Sequence, residues 1–243
     1  MVCSSLAVLA SLLLAAPDAG APARAPLSPE VEALVKRVQG FYERTADFKA
    51  GFRQEYTYAA FKRTQVSTGT VTYKKPAMMR WEYLAPSPRT FVLARDRAYL
   101  HDPAAKLLTR SRLQSNQLSA SVTFLWGQGK LADEFSIALA PCPACATLGP
   151  DHPKASVLLE LTPLRADPRF RQVLLEVEPV SAQVLRSTVV DPDGSRNAIT
   201  FLDLKPNVGV SSEAFVLTPP PGTQEQDFLA ADPSPQADAG TPR

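Results

Sequence analysis

The sequence predicts a mainly β domain, built as a large curved antiparallel sheet or barrel that carries two helices. Most segments after residue 47 alternate apolar and polar residues, and this alternation puts every second side chain on one face of a sheet. These segments are short and are separated by Gly, Pro and charged turns, which favours antiparallel neighbours. Only residues 28–44 and 113–130 have the apolar spacing of an amphipathic helix.

Composition places the chain among globular proteins with a substantial core. It has 243 residues, of which 45% are hydrophobic and 21% charged, and its formal net charge is +2. This balance, without any basic run, argues against a nucleic-acid-binding protein. The 23 prolines outnumber the 11 glycines and cluster at 17–29, at 141–153 and after 219. Such clusters indicate flexible ends and one long loop.

The N-terminal segment predicts export. The apolar run from Leu6 to Ala16 is shorter than the about 20 residues that span a bilayer. It is typical of the hydrophobic region of a signal peptide, and Ala21-Pro22-Ala23 offers a small-residue cleavage site. The alternative is a Leu/Ala-rich disordered start or a buried helix. We expect a signal peptide over residues 1–23 and a linker over 24–27.

The first helix is predicted to begin after Ser28. Ser28 suits the N-cap and Pro29 the first helical position, and Glu30 and Glu32 lie in the positive first turn. The helix should end near Arg44. Its apolar stripe, which we expect to pack on the sheet, consists of Val31, Leu34, Val35, Val38, Phe41 and Tyr42.

About ten or eleven strands follow from Asp47 onward, where the period changes to two. The turn at Asp191-Pro192-Asp193-Gly194 is a strong chain reversal. Strands are predicted at residues 47–58, 64–75, 78–84, 89–95, 97–102, 106–112, 135–139, 155–162, 170–177, 183–191 and 195–204.

The second helix is predicted at residues 113–130, inserted between strands. Leu118, Val122, Leu125 and Trp126 recur there at helical spacing before two glycines. Both helices carry an apolar stripe, and we expect them to lie over the concave side of the sheet.

Cys142 and Cys145 stand in the proline-rich loop of the exported chain. A pair this close in an oxidising compartment is most simply a local disulfide. A metal site would need two more ligands, and His152 is the only candidate nearby. A redox motif would place the pair at a helix N-terminus, where prolines stand instead. We predict a disulfide and no metal.

Signatures of catalysis are missing from the sequence. Its two histidines, His101 and His152, are far apart in the chain. The sequence has no GxSxG nucleophile elbow and no glycine-rich phosphate loop. We therefore expect neither enzymatic activity nor a cofactor.

Large apolar side chains are what the sequence has in excess, as in Gly69–Tyr83, which reads GTVTYKKPAMMRWEY. Such residues form solid cores more often than ligand sites. A strongly curved sheet with only two helices as filler makes a lined cavity at least as reasonable, and Met78 and Met79 would suit flexible chains. The predicted lining is Phe48, Phe52, Val71, Tyr73, Met79, Trp81, Tyr83, Phe91, Leu93, Tyr99, Leu118, Val122 and Leu125.

Several motifs occur in a fixed order over residues 28–223. They are Phe48-x-Ala50-x-Phe52-x-Gln54, Gly69…Lys75-Pro76…Arg80-Trp81-x-Tyr83-x-x-Pro86, Leu159-x-Leu161-Thr162-Pro163, Asp191-x-x-Gly194 and Phe215-Val216-Leu217-Thr218-Pro219-Pro220-Pro221-Gly222. In order and spacing they resemble the LolA family of periplasmic outer-membrane lipoprotein carriers. Residues 224–243 are then expected to be a disordered tail.

The resemblance implies an unclosed antiparallel barrel whose helices form a lid over a hydrophobic cavity. That cavity would take the acyl chains of a lipoprotein in the periplasm. An inner-membrane ABC release complex would supply the lipoprotein, an outer-membrane receptor would accept it, and the carrier would be a monomer. In the family, a basic residue before the motif's proline, usually arginine, holds the lid shut; here it is Lys75.

Three alternatives stay open at this point. A LolA-like domain can bind another apolar ligand, such as a free lipid, or act in envelope-stress sensing. An exported enzyme on a β-barrel would have a polar, charged pocket. A purely structural envelope module would need no pocket.

Overall fold

The computed structural model describes residues 27–112, 130–141 and 156–228. Helix α1 spans Pro29–Arg44 and the single turn α2 spans Leu131–Glu134. The strands are β1 (Asp47–Tyr58), β2 (Arg63–Lys74), β3 (Met78–Ala85), β4 (Arg89–Ala94), β5 (Arg97–Asp102), β6 (Leu107–Arg112), β7 (Phe135–Ala140), β8 (Val157–Pro163), β9 (Gln172–Val177), β10 (Val184–Val190), β11 (Arg196–Pro206) and β12 (Gln224–Asp227).

All twelve strands of the described chain form one sheet, in the order β12-β6-β5-β4-β3-β2-β1-β11-β10-β9-β8-β7. Each neighbouring pair is antiparallel except β12 and β6, which are parallel. The first and last strands of this order do not pair with each other, so the sheet is not closed into a barrel. The predicted mainly β, unclosed antiparallel fold is confirmed.

Helix α1 begins and ends where the sequence predicts. The Ser28 hydroxyl accepts a hydrogen bond from the Val31 amide at 3.4 Å, which caps one of the free N–H groups of the first turn. At the other end, the Thr45 hydroxyl donates to the Phe41 carbonyl at 2.8 Å. The predicted stripe is buried at Val31, Leu34, Val35, Val38 and Tyr42.

The two faces of the sheet have different partners. The inner face, defined as the face that α1 covers, carries the larger apolar cluster, which includes the α1 stripe. The outer face is crossed by the C-terminal strap, residues 207–223, whose short 3-10 turn (Ser212–Phe215) contributes Phe215 to a smaller cluster with Val92 and Val210.

The C-terminal tail begins later than predicted. Residues 224–227 were expected to be disordered, but they form β12 and extend the sheet beside β6. The amide of Gln224 donates to the Lys106 carbonyl at 2.8 Å, and the amide of Phe228 donates to the Arg110 carbonyl at 2.8 Å. The predicted tail from residue 229 onward lies outside the described residues.

Candidate functional site

The inner face of β1–β4 is built from rows of apolar side chains that the strand register sets side by side. Residues that pair across antiparallel strands point to the same face, so each row crosses the sheet at one level. The rows are Phe48–Tyr73–Met79–Leu93, Ala50–Val71–Trp81–Phe91 and Phe52–Gly69–Tyr83. The register therefore brings nine of the predicted lining residues together on one face.

These lining residues are almost completely removed from solvent. Phe48, Phe52, Val71, Tyr73, Met79 and Leu93 are each at most 1% exposed, and Trp81 is 7% exposed. Tyr83 and Phe91 are partly buried and pack against the same cluster. That this face lines a ligand cavity stays a prediction, since burial alone is also what a solid core requires.

Gly69 lets the Phe52 ring lie flat across β2. A Cβ atom at residue 69 would meet the Glu82 carbonyl oxygen at 2.0 Å and the Phe52 ring at 2.7 Å. The Phe52 ring makes edge contacts with Trp81 and Tyr83, with centroid separations of 4.8 Å and 5.1 Å. Edge-to-face packing of this kind favours a fixed aromatic surface.

Lys75 joins the end of α1 to the sheet. It follows β2 directly, and its Nζ donates hydrogen bonds to the carbonyl oxygens of Tyr42 and Glu43, at 2.8 Å and 2.9 Å. These carbonyls belong to the last turn of α1, where the helix leaves its acceptors unsatisfied and carries partial negative charge. A single ammonium thus binds two carbonyls of the helix that covers the inner face; the Tyr42 carbonyl also accepts from the Thr45 amide, at 3.2 Å.

The electrostatics of Lys75 agree with a contact that is only partly shielded from water. Burial lowers the pKa of its ammonium, and the nearby charge of Glu43 acts in the opposite direction. The amine is half-buried, so this hydrogen-bonded contact can open without leaving a fully desolvated charge.

Tyr42 supplies a second link that the sequence did not predict. Its hydroxyl accepts a hydrogen bond from the Val184 amide at 3.3 Å, at the start of β10. Burial raises the pKa of this hydroxyl. The sequence predicted Tyr42 only as part of the α1 stripe, because helical spacing reports which face is buried and not which strand it meets.

Two buried hydroxyls on the inner face have no hydrogen-bond partner among the described residues. They are the Tyr73 hydroxyl and Ser187 Oγ. The register places Ser187 opposite Leu175 and Ile199, both of which belong to the larger cluster or pack against it. Burial raises the pKa of Tyr73. An unpaired buried hydroxyl is destabilising, and the sequence carries no signal for it.

Tyr99 does not lie on the inner face, and its prediction as a lining residue was wrong. The turn after β4 pairs Leu93 with Ala98 and Val92 with Tyr99. Val92 faces outward, so Tyr99 packs with it in the outer cluster, under the strap. Met78 also packs in the outer cluster, because it precedes the inward-facing Met79 by one residue.

Five predicted site residues lie outside the described residues. They are Leu118, Val122 and Leu125 of the predicted second helix, and Cys142 and Cys145 of the predicted disulfide. The predicted signal peptide, residues 1–23, lies outside them as well.

The described part of the chain contains neither a cluster of metal ligands nor a membrane-spanning helix. Within residues 27–112, 130–141 and 156–228, no group of three or more His, Cys, Asp and Glu side chains is placed to hold a metal ion. In the same residues, no helix is long and apolar enough to cross a bilayer.

Comparison with known families agrees with this geometry. The family profile described as "Outer membrane lipoprotein carrier protein LolA" matches residues 43–218, from the end of α1 to the end of the strap's packed part. The chain belongs to the LolA family.

Curated members of the LolA family match most of the chain at low identity. A protein of Dechloromonas aromatica (strain RCB) named "Outer-membrane lipoprotein carrier protein" is 23% identical over 188 residues, 77% of this chain and 85% of that protein. A protein of the same name from Pseudomonas aeruginosa (strain UCBPP-PA14) is 23% identical over 193 residues, 78% of this chain and 86% of that protein.

A solved structure shares the fold of this LolA-family chain. The crystal structure of an uncharacterized conserved protein from Thermus thermophilus superimposes with a TM-score of 0.51. The sequence identity is 12%, over 82% of this chain and 99% of that chain. The likeness concerns the fold alone.

Proposed function

We propose that this protein is a periplasmic chaperone that binds the acyl chains of lipoproteins on its inner face and shuttles them from the inner to the outer membrane. Family membership supports this proposal. The observation that carries it is the contact of Lys75 with two carbonyls in the last turn of α1, those of Tyr42 and Glu43, at 2.8 Å and 2.9 Å. That contact fastens a helix over an apolar face through a polar group that water can replace.

Reversible binding is the physical problem that such a carrier must solve. Burying one methylene group contributes about 0.8 kcal/mol, so a single long acyl chain gains on the order of 10 kcal/mol from a dry site. In the proposed closed state, the α1 stripe covers the inner face and Lys75 holds the helix end. An incoming chain displaces the stripe, and the closing of α1 helps to expel the chain at delivery.

The apolar rows of the inner face suit recognition of the acyl chains of a cargo and not of its peptide part. Phe48, Phe52 and Val71 offer contact area and have no hydrogen-bonding group in their side chains. We therefore propose a carrier without catalytic activity, which receives acylated lipoproteins from an inner-membrane ABC release complex and passes them to an outer-membrane receptor. It is exported by its signal peptide and works as a monomer.

Binding of a synthetic triacylated lipopeptide tests this function. The account predicts a saturable complex, seen by native mass spectrometry and by displacement of a fluorescent fatty-acid probe. The same peptide without acyl chains is the matched control and should not bind. Equal binding of both peptides, or failure of the protein to take up either the probe or the lipopeptide, would contradict the proposal. Binding of free lipid but not of lipopeptide would favour a LolA-like protein with another ligand.

A further inference from the structure

The tip of the β1–β2 hairpin, residues Tyr58–Val66, is exposed along its whole length. Phe61 at its turn is 78% exposed, and Tyr58 and Val66 are 37% and 39% exposed. Several large apolar side chains exposed together at one tip, rather than a single one, indicate a contact surface.

The tip extends beyond the end of β3 on one side and lies beside the β10–β11 turn on the other. Pairing of β1 with β11 ends at Thr57, opposite Arg196. Pairing of β2 with β3 begins at Thr68, opposite Ala85. Beyond these positions the two strands of the hairpin pair only with each other.

Contacts at its base hold the tip in a defined position. The Ala59 amide donates to Ser195 Oγ at 3.2 Å, which joins the turn to the neighbouring β10–β11 turn. The ring centroids of Tyr56 and Tyr58 are 4.6 Å apart, and those of Tyr58 and Phe61 are 6.5 Å apart. Phe61 is therefore presented by a supported hairpin.

The charge of the tip is positive. Lys62 and Arg63 follow Phe61 directly, and no acidic residue occurs between Tyr56 and Trp81 in the sequence. The neighbouring turn carries two carboxylates, of which Asp191 accepts from the Tyr56 hydroxyl at 2.8 Å and Asp193 accepts from Ser195. Both keep their negative charge, so the positive charge belongs to the part of the tip at Lys62 and Arg63. An exposed aromatic ring beside two cations complements a bilayer surface that carries anionic headgroups.

We propose that the β1–β2 hairpin tip docks this protein on anionic lipid bilayers, with Phe61 inserted at the headgroup level and Lys62 and Arg63 on the phosphates. The role of this docking rests on the proposed function: Tyr56 and Tyr58 continue the side of β1 that carries Phe52, so the tip brings the apolar face to the surface where acyl chains leave or enter. One aromatic anchor with two cations gives weak, reversible attachment, as a shuttle requires.

Quenching by brominated lipids tests the insertion of residue 61. Phe61→Trp is compared with Val180→Trp, since Val180 is 86% exposed on the β9–β10 loop and follows the acidic Glu178 in the chain, whereas Phe61 directly precedes two cations. With vesicles of phosphatidylglycerol and phosphatidylethanolamine, the fluorescence gained in Phe61→Trp should be quenched and that in Val180→Trp should not. Equal quenching of the two, or none in either, would overturn the proposal.

Vesicle sedimentation tests the charges. Replacing Lys62 and Arg63 by Gln should weaken binding by about fivefold per residue at low salt, and vesicles of pure phosphatidylcholine should bind weakly. Unchanged vesicle binding in this variant would overturn the proposal. So would the absence of binding to vesicles of lipid alone, because attachment would then require a membrane protein. Lipopeptide binding in solution should be unaffected by these changes, so failure of docking and failure of the carrier function give different results.

Discussion

In the proposed carrier, Lys75 holds α1 closed, because its ammonium donates hydrogen bonds to the carbonyls of both Tyr42 and Glu43. Lys75→Met removes these hydrogen bonds and shifts the population toward the open form. Ligand affinity rises when the competent form is more populated. A hydrogen bond to a charged group is worth about 1.5–3 kcal/mol and less where water competes, so we expect about fivefold to tenfold tighter binding of a fatty-acid probe and slower release.

Lys74 provides the matched control. Its Nζ donates to the Val210 carbonyl at 2.6 Å, on the strap that crosses the outer face. Lys74→Met therefore removes the same type of hydrogen bond without touching α1, and its probe affinity should equal that of the unmodified protein. Equal affinities in the Lys74 and Lys75 variants would show that the Lys75 contact does not control access to the inner face.

The hydroxyls of Tyr73 and Tyr42 have opposite roles in stability. The Tyr73 hydroxyl is buried without a partner among the described residues, whereas that of Tyr42 accepts from the Val184 amide. Tyr73→Phe should leave the free energy of unfolding unchanged or raise it by up to about 1 kcal/mol, and Tyr42→Phe should lower it by about 1 kcal/mol. Urea denaturation of both variants measures these free energies of unfolding. A clearly lower free energy of unfolding in Tyr73→Phe would show that the Tyr73 hydroxyl does make a hydrogen bond.

At the scale of elements, one buried carboxylate helps to fix the start of the strap. Asp47, 5% exposed at the start of β1, accepts hydrogen bonds from the amides of Val208 and Gly209 at 2.8 Å and 3.1 Å. Asp47→Ala should loosen the strap, because it leaves both amides without this acceptor. We expect faster chymotrypsin cleavage at Phe215, which the strap buries against the outer face. Lys205→Ala, which removes an exposed ion pair with Asp203, is the control, and equal cleavage rates in the two variants would contradict this role.

The strands were predictable because their signal is local. An alternation of apolar and polar residues marked β1 at residues 47–58, the bounds that the structure has. In contrast, β12 reads Gln-Glu-Gln-Asp and is exposed throughout. Nothing in those four residues indicates a strand. The strand forms because the strap ends beside the free edge of β6. Pairing between segments so distant in sequence leaves no local pattern.

The residues of the candidate site were predictable where the alternation of apolar and polar residues along a strand shows which side chains share a face. Phe48, Tyr73 and Met79 lie in one row because each occupies an apolar position of the alternation in its own strand, and these positions pair across the strands. Tyr99 was misplaced because its large aromatic ring suggested the inner face, while the short turn after β4 fixes the opposite phase. The hydrogen bond between Tyr42 and Val184 depends on how α1 is seated, which its sequence does not encode locally.

At the scale of the whole molecule, the two faces of the sheet have different roles in the proposed carrier. The inner face packs against α1, which the half-buried ammonium of Lys75 fastens at one end. The outer face is held by the strap and its buried contacts, among them Phe215 and Asp47. In the proposed carrier, the strap braces the sheet on one side while α1 leaves the other, an arrangement suited to binding flexible chains without unfolding.

Hydrogen–deuterium exchange of the amides in α1, with and without saturating triacylated lipopeptide, is the most direct test of whether α1 moves when acyl chains bind. If α1 is a movable cover over an acyl-binding face, its amides should exchange faster in the complex than in the empty protein, while those of β1 and β2 stay equally protected. Unchanged exchange in α1 while the lipopeptide is bound would contradict the account, since the ligand would then lie elsewhere.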